Sequence, residues 1–131
     1  MLFAKDLYKS YEGREVLKGI SLSLARGEFL SITGESGSGK STLLSLLAGN
    51  AKPARGEVFL EGECISQMNE SALARLRRGK LGFVYQELNL IDTLNGEENI
   101  LLPVTFARGD RKKAKEVLLP LAERLIIKFE I

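Results

Sequence analysis

Three features of the 131-residue sequence predict an α/β fold. A β-rich run at residues 29–33 (FLSIT) leads into a glycine-rich segment at 34–39, and an apolar helical stretch at 41–48 leaves it. Residues 16–24 alternate, with Ile20, Leu22 and Leu24 on one side and Ser21 and Ser23 on the other, as a half-buried strand requires. Beyond the helix, β-rich runs at 56–60 and 81–85 (LGFVY) flank a polar segment at 70–78 whose Leu73 and Leu76 share a helical face. A chain of this length fits one domain and is long enough to bury a core without disulfide staples.

Each element carries its own boundary signals. The opening residues, MLFAKDLYKSYEGRE, hold Asp6 and Glu12 and no long apolar stretch, so they do not read as a secretion signal. A turn at Arg26 and Gly27 separates the alternating strand from the run at 29–33, and Gly49 is placed to cap the helix that ends at Ala48. Asn69 is the expected N-cap of the helix at 70–78. Asn95, with Glu98 three residues on, has the form of a capping box, supported by the acidic pair Glu97 and Glu98 in the first turn of a short helix ending near Pro103. Asp110 is placed to cap a last helical region in which Ala114, Val117, Leu118, Leu121 and Leu125 recur at helical spacing, with Pro120 expected to kink or split it. No internal repeat and no low-complexity linker is visible.

Composition narrows the function classes. An apolar fraction of 44% and a charged fraction of 27% are those of an ordinary folded protein. Nineteen basic against seventeen acidic residues leave a net charge of +2, too small to argue for nucleic acid or an anionic membrane as the main partner. The single cysteine, Cys64, cannot close an internal disulfide, which suits a reducing, cytoplasmic setting. The absence of histidine removes Ser/His/Asp and Cys/His triads and every histidine-based metal site. No apolar run approaches the length of a membrane-spanning helix.

Residues 34–41 read GESGSGKS, a full match to the phosphate-loop pattern GxxxxGK[ST]. With a strand entering and a helix leaving, successive backbone N–H groups and the positive end of the helix dipole converge where phosphate oxygens can sit. Glycines at 34, 37 and 39 let the backbone close around an anion, and Glu35, Ser36 and Ser38 supply further loop amides. Lys40 is expected at the β- and γ-phosphates, Ser41 as a hydroxyl ligand of magnesium (Mg2+), and Thr42 at the α-phosphate.

These motifs resemble those of the ATP-binding subunits of ABC transporters over almost the whole chain. The stretch YKSYEGREVLKGISLSLARGEFLSITGESGSGKSTLLSLLAG is similar to the opening of such a subunit, and LGFVYQELNLIDTLNGEENILLPV to the segment around its glutamine loop. The resemblance implies a phosphate-loop nucleoside-triphosphatase fold with an antiparallel β subdomain, a phosphate-loop core and the start of a helical subdomain. Residues 1–85 then form the ATP-binding core, and 86–131 the glutamine loop with part of the helical subdomain. It further implies that Tyr11 stacks on adenine, with Val16 beside it, and that Gln86 touches magnesium and the attacking water. Taken alone, Tyr11 reads as a half-exposed strand-end tyrosine and Gln86 as a solvated strand-end residue. The implied cofactors are ATP and Mg2+. The implied partners are a transmembrane permease subunit, whose cytoplasmic helix Leu90, Ile91 and Leu94 could seat, and a second ATP-binding subunit, at the inner face of the membrane. Among branches, the glutamine-loop segment looks most like exporters of antimicrobial peptides, with macrolide and lipoprotein-release relatives as close competitors.

The same resemblance exposes what the 131 residues do not contain. The family's LSGGQ signature, its apolar strand ending in Asp then Glu, and its switch histidine are absent; there is no glycine after Gly109 and no histidine anywhere. The expectation is a truncated subunit ending within the helical subdomain, with no complete catalytic set. Two other functions compete: a noncatalytic module that binds nucleotide weakly or only contacts the permease, and a small phosphate-loop GTPase or kinase. The latter predicts a guanine-selecting NKxD or an arginine-rich lid, and neither is present.

Overall fold

The computed structural model describes residues 1–86, 89–106 and 111–129. They form two compact units, Met1–Gly82 and Phe83–Ile131.

The first unit is built on an antiparallel sheet of β1 (Leu2–Tyr11), β2 (Arg14–Leu24), β3 (Arg55–Leu60) and the short β4 (Glu63–Cys64), in the order β2-β1-β3-β4. β2 keeps the alternation read from the sequence, with Ile20, Leu22 and Leu24 half-buried and Ser21 and Ser23 exposed, and starts two residues before the expected Val16. β1 carries no comparable signal, because a bulge interrupts its period of two. Ala4 and Leu7 are both fully buried, and the residue that shifts the register between them is Asp6, at φ 55°. Ser21 Oγ accepts from the Asp6 amide at 2.9 Å, and Asp6 Oδ2 lies 3.7 Å from an Arg55 guanidinium nitrogen. The hairpin between β1 and β2 turns at Glu12 and Gly13, whose φ values of 48° and 79° suit a tight two-residue turn.

Helix α1 (Lys40–Leu47) and helix α2 (Glu70–Lys80) close the core. Leu43, Leu46 and Leu47 of α1 and Leu73 and Leu76 of α2 pack in one cluster with Ala4, Leu7, Leu17, Val58, Leu60 and Ile65. Gly49, at φ 69°, terminates α1 as expected, and the Asn50 amide donates to the Ser45 carbonyl at 2.8 Å. Asn69 caps α2, its Oδ1 accepting from the Ala72 amide at 2.9 Å. At the far end of α2, the Lys80 ammonium lies 3.2 Å from Glu61 and 2.8 Å from Glu63; this raises the Lys80 pKa and lowers that of Glu61, in a fully exposed setting where such pairs contribute little.

Two expected strands are not formed. Residues 29–33 and 81–85 belong to no ladder, and every strand pair among the described residues is antiparallel. Strand propensity is not enough without a neighbour to take the backbone hydrogen bonds, and neither run pairs with a described strand. Their side chains record this: Ile32 packs against the core, whereas Phe29 is 90% and Val84 96% exposed.

In the second unit, α3 (Gly96–Phe106) is preceded by the capping box the sequence predicts. The Asn95 amide donates to Glu98 Oε2 and the Glu98 amide to Asn95 Oδ1, both at 2.9 Å. The helix runs past Pro103 instead of ending there, because a proline removes only the bond to the carbonyl four residues back. Helix α4 (Arg111–Phe129) likewise continues as one helix through Pro120. Its half-buried residues are Ala114, Leu118, Leu119 and Ala122, while Val117 and Leu121, expected on the apolar face, are exposed. Asp110, the expected cap of this helix, lies outside the described residues, as do the side-chain surroundings of Leu125.

The bulge sets a sharp requirement on its neighbour. Gly56 has φ 91°, and a Cβ there would run into the backbone of Lys5 and Asp6. Gly56→Ala is expected to cost at least about 2 kcal/mol, since left-handed backbone alone costs a side chain roughly 1–2 kcal/mol; a drop in the urea midpoint at constant slope is the expected readout.

Candidate functional site

The loop at 34–39 is positioned from its C-terminal side. Leu43 begins the helical ladder by donating its amide to the Gly39 carbonyl at 2.8 Å, which leaves the amides of Lys40, Ser41 and Thr42 without intrahelical acceptors at the positive end of α1. Gly39, at φ 95°, is the N-cap and makes no side-chain cap bond. It also lies against β2: a Cβ added there would stand 3.0 Å from both Val16 Cγ1 and Leu17 Cδ2 and 3.2 Å from the Val16 carbonyl oxygen. Val16, expected beside Tyr11, thus lies against the backbone of the loop at Gly39.

Lys40 folds back over the loop. Its Nζ donates to the carbonyls of Gly34 at 2.8 Å and Glu35 at 2.6 Å, and lies 3.5 Å from Ser38 Oγ. The Ser38 amide in turn donates to the Glu35 carbonyl at 3.2 Å, and Ser38 Oγ sits where a Cβ on Gly34 would come within 2.9 Å. One ammonium thus gathers the carbonyls of Gly34 and Glu35, while the amides of the helix start, at Lys40, Ser41 and Thr42, remain as donors without intrahelical acceptors. Glu35, Ser36, Gly37, Ser38 and Ser41 are exposed, and Thr42 is half-buried. Among the described residues no three Cys, Asp or Glu side chains converge on a common point, so a magnesium ion here fits a small hydroxyl such as Ser41 plus the oxygens of a phosphate ligand.

Tyr11 ends β1 at the hairpin turn, paired with Arg14, and is 48% exposed. Lys9 Nζ stands over its ring, 5.2 Å from the centroid. Gln86 belongs to the second unit, exposed at a bend after the run 81–85. Leu90 and Ile91 are exposed there too, and Leu94 is half-buried.

Two residues that organise these regions were not singled out by sequence. Lys9 is one. The other is Asn99, whose Nδ2 donates to the carbonyls of Ile91, Leu94 and Asn95 at 3.2, 3.0 and 3.0 Å while its Oδ1 accepts from the Ile91 amide at 2.8 Å. The available signal was an amide side chain one residue past the capping box, in the first turn of a helix, where it can reach back to the preceding loop.

This loop and helix, with the antiparallel sheet beside them, have counterparts among known proteins. The family model described as ABC transporter matches residues 17–130. The chain belongs to the ABC transporter family. It is 44% identical to the bacitracin export ATP-binding protein BceA of Halalkalibacterium halodurans over all of its own length and 53% of that protein's. It is 48% identical to the lipoprotein-releasing system ATP-binding protein LolD of Aquifex aeolicus, over 88% of this chain and 52% of the relative. The ATP-binding cassette MJ0796, solved as a dimer in a post-hydrolysis state with ADP and Pi, superposes with a TM-score of 0.80 at 38% identity, over 88% of this chain and 55% of that one. This ABC transporter chain thus spans about half the length of these relatives.

The close approach of Gly39 to β2 yields a direct test. Gly39→Ala is expected to displace the loop from Val16 and to weaken binding of a nucleoside triphosphate by about tenfold or more, as the loss of one or two charge-assisted bonds would. Fluorescence competition on the purified chain reads it.

Proposed function

We propose that this chain forms the phosphate-binding part of an ATP-binding subunit of an ABC exporter, and that by itself it binds ATP with Mg2+ without turning it over. The observation that carries this reading is the exposed loop at 34–38 leading into the N-terminus of α1, with the Lys40 ammonium folded over it. When ATP binds, Lys40 is expected to exchange two neutral carbonyl acceptors for charged phosphate oxygens, a gain because bonds to ionised acceptors are roughly twice as strong. The loop amides hold the phosphate oxygens, Ser41 holds magnesium, Thr42 adds an α-phosphate contact, and Tyr11 stacks on the base. Magnesium supplies charge neutralisation at the phosphates. Gln86 is assigned to the metal and the attacking water.

Turnover needs more than this. The attacking water must be oriented by a base and the developing charge neutralised from the far side. The 131 residues contain no LSGGQ and no histidine. In the assembled transporter a permease subunit, received at Leu90, Ile91 and Leu94, and a second ATP-binding subunit are the proposed partners, at the cytoplasmic face of the membrane. No described helix of this chain is long and apolar enough to cross a membrane itself. The cargo class proposed is that of the relatives named for bacitracin, lipoprotein and macrolide export.

Calorimetry with ATP and magnesium is expected to give weak binding that falls at least about tenfold in Lys40→Ala, the loss of a charged hydrogen-bonding group. Equal affinity before and after that change would place the nucleotide elsewhere. Steady-state phosphate release is expected to match the Lys40→Ala control. Turnover of about one per second, ordinary for an enzyme, that vanishes in the control would contradict the assignment of an incomplete catalytic set.

A further inference from the structure

Lys9 and Tyr11 stand two residues apart on β1, so their side chains leave the same face of the strand. The Lys9 ammonium sits 5.2 Å from the Tyr11 ring centroid, within the range at which a cation is held by an aromatic face. It is also fixed from behind, donating to the Lys52 carbonyl at 2.7 Å. That acceptor is itself anchored. The Ala54 amide donates to the Tyr8 carbonyl at 2.8 Å, and the amides of Asn50 and Ala51 donate to Ser45 at the end of α1, at 2.8 and 3.2 Å. A continuous set of bonds therefore runs from the phosphate-loop helix, through residues 50–54, to the ammonium over the ring.

We propose that Lys9 is a positioning residue for the base of a bound nucleotide, its ammonium backing one face of Tyr11 so that the opposite face receives a purine. The inference rests on the reading of Tyr11 as the base platform. Two aromatic faces repel when stacked directly, because each is the negative side of its quadrupole. A cation behind the tyrosine draws π density away from the face offered to the base and lessens that repulsion. The Lys52 bond also holds the ammonium in place at the ring, so less of the lysine's freedom is lost on stacking. Because residues 50 and 51, just before Lys52, are bonded to Ser45 of α1, the base platform is tied to the helix that leaves the triphosphate loop, and a ligand that carries both a base and a triphosphate gains from that preorganisation.

The test compares ATP with inorganic tripolyphosphate, which uses the loop and has no base, on the full chain by calorimetry. Lys9→Met is expected to weaken ATP by about twofold to fivefold, the worth of an exposed cation–π contact, and to leave tripolyphosphate unchanged. Lys9→Arg keeps a cation and a donor and is expected to restore ATP affinity. In a Tyr11→Ala background, Lys9→Met is expected to have no further effect on ATP. An equal loss for ATP and tripolyphosphate in Lys9→Met would make Lys9 a general phosphate attractor and overturn the inference. So would unchanged ATP affinity in Lys9→Met while Tyr11→Ala weakens it. If Tyr11→Ala leaves the ratio of ATP to tripolyphosphate affinity unaltered, the platform reading itself falls, and Lys9 with it.

Discussion

The backbone of Gly39 lies against Val16 and Leu17, close enough that a Cβ there would stand 3.0 Å from a side-chain carbon of each and force them to shift. That contact fixes where α1 starts, and α1 is kept against the sheet by Leu43, Leu46 and Leu47, buried among Ala4, Leu7 and Val58. The loop before Gly39 contributes little packing of its own, and its residues 34–38 are exposed. Its shape is inherited from a helix seated on a sheet, which is why the bulge at Asp6 and the glycine at position 56 matter to a site they do not touch. Both keep β1 and β3 in register under the helix.

Electrostatics then completes what packing begins. The Lys40 ammonium takes the carbonyls of Gly34 and Glu35 and so holds the start of the loop against the first turn of α1. The loop is thereby arranged before any anion arrives, so less ordering is needed on binding. The same ammonium is the group best placed to transfer to a phosphate, since it reaches the loop from within the first turn of the helix. Lys9 and Tyr11 extend this logic to the hairpin edge, where a second cation is held by a carbonyl and an aromatic face.

The parts of the fold legible in the sequence are those whose signals are local. The loop and α1 follow from eight consecutive residues and a leucine-rich stretch, and the caps at Asn69 and Asn95 from single side chains placed before helices. β1 was not legible, because the bulge puts its buried residues, Ala4 and Leu7, three apart where an alternating pattern needs two. Residues 29–33 and 81–85 mislead in the opposite sense. Their composition is that of strands, but a strand is a relation between two segments, and no described segment pairs with them. Pro103 marks the helix end to within three residues, and Pro120, expected to kink or split its helix, does not split it. At the site, the contact of Val16 with Gly39 joins residues 23 apart in sequence, and Lys9 and Asn99 act through contacts 43 and 8 residues away, none of which a local pattern encodes.

The central claim is that one surface, the loop at 34–41 with the first turn of α1, binds the phosphates of a nucleotide, and that the sheet beneath it is already in place. Amide-resolved NMR titration of the chain with ATP and magnesium tests this most directly. The account predicts saturable shifts concentrated at residues 34–42 and at the Tyr11 end of the β1–β2 hairpin, with the amides of Ala4, Leu7 and Val58 unmoved. Shifts confined to other regions, or shifts spread through the sheet as though it formed only on binding, would contradict it.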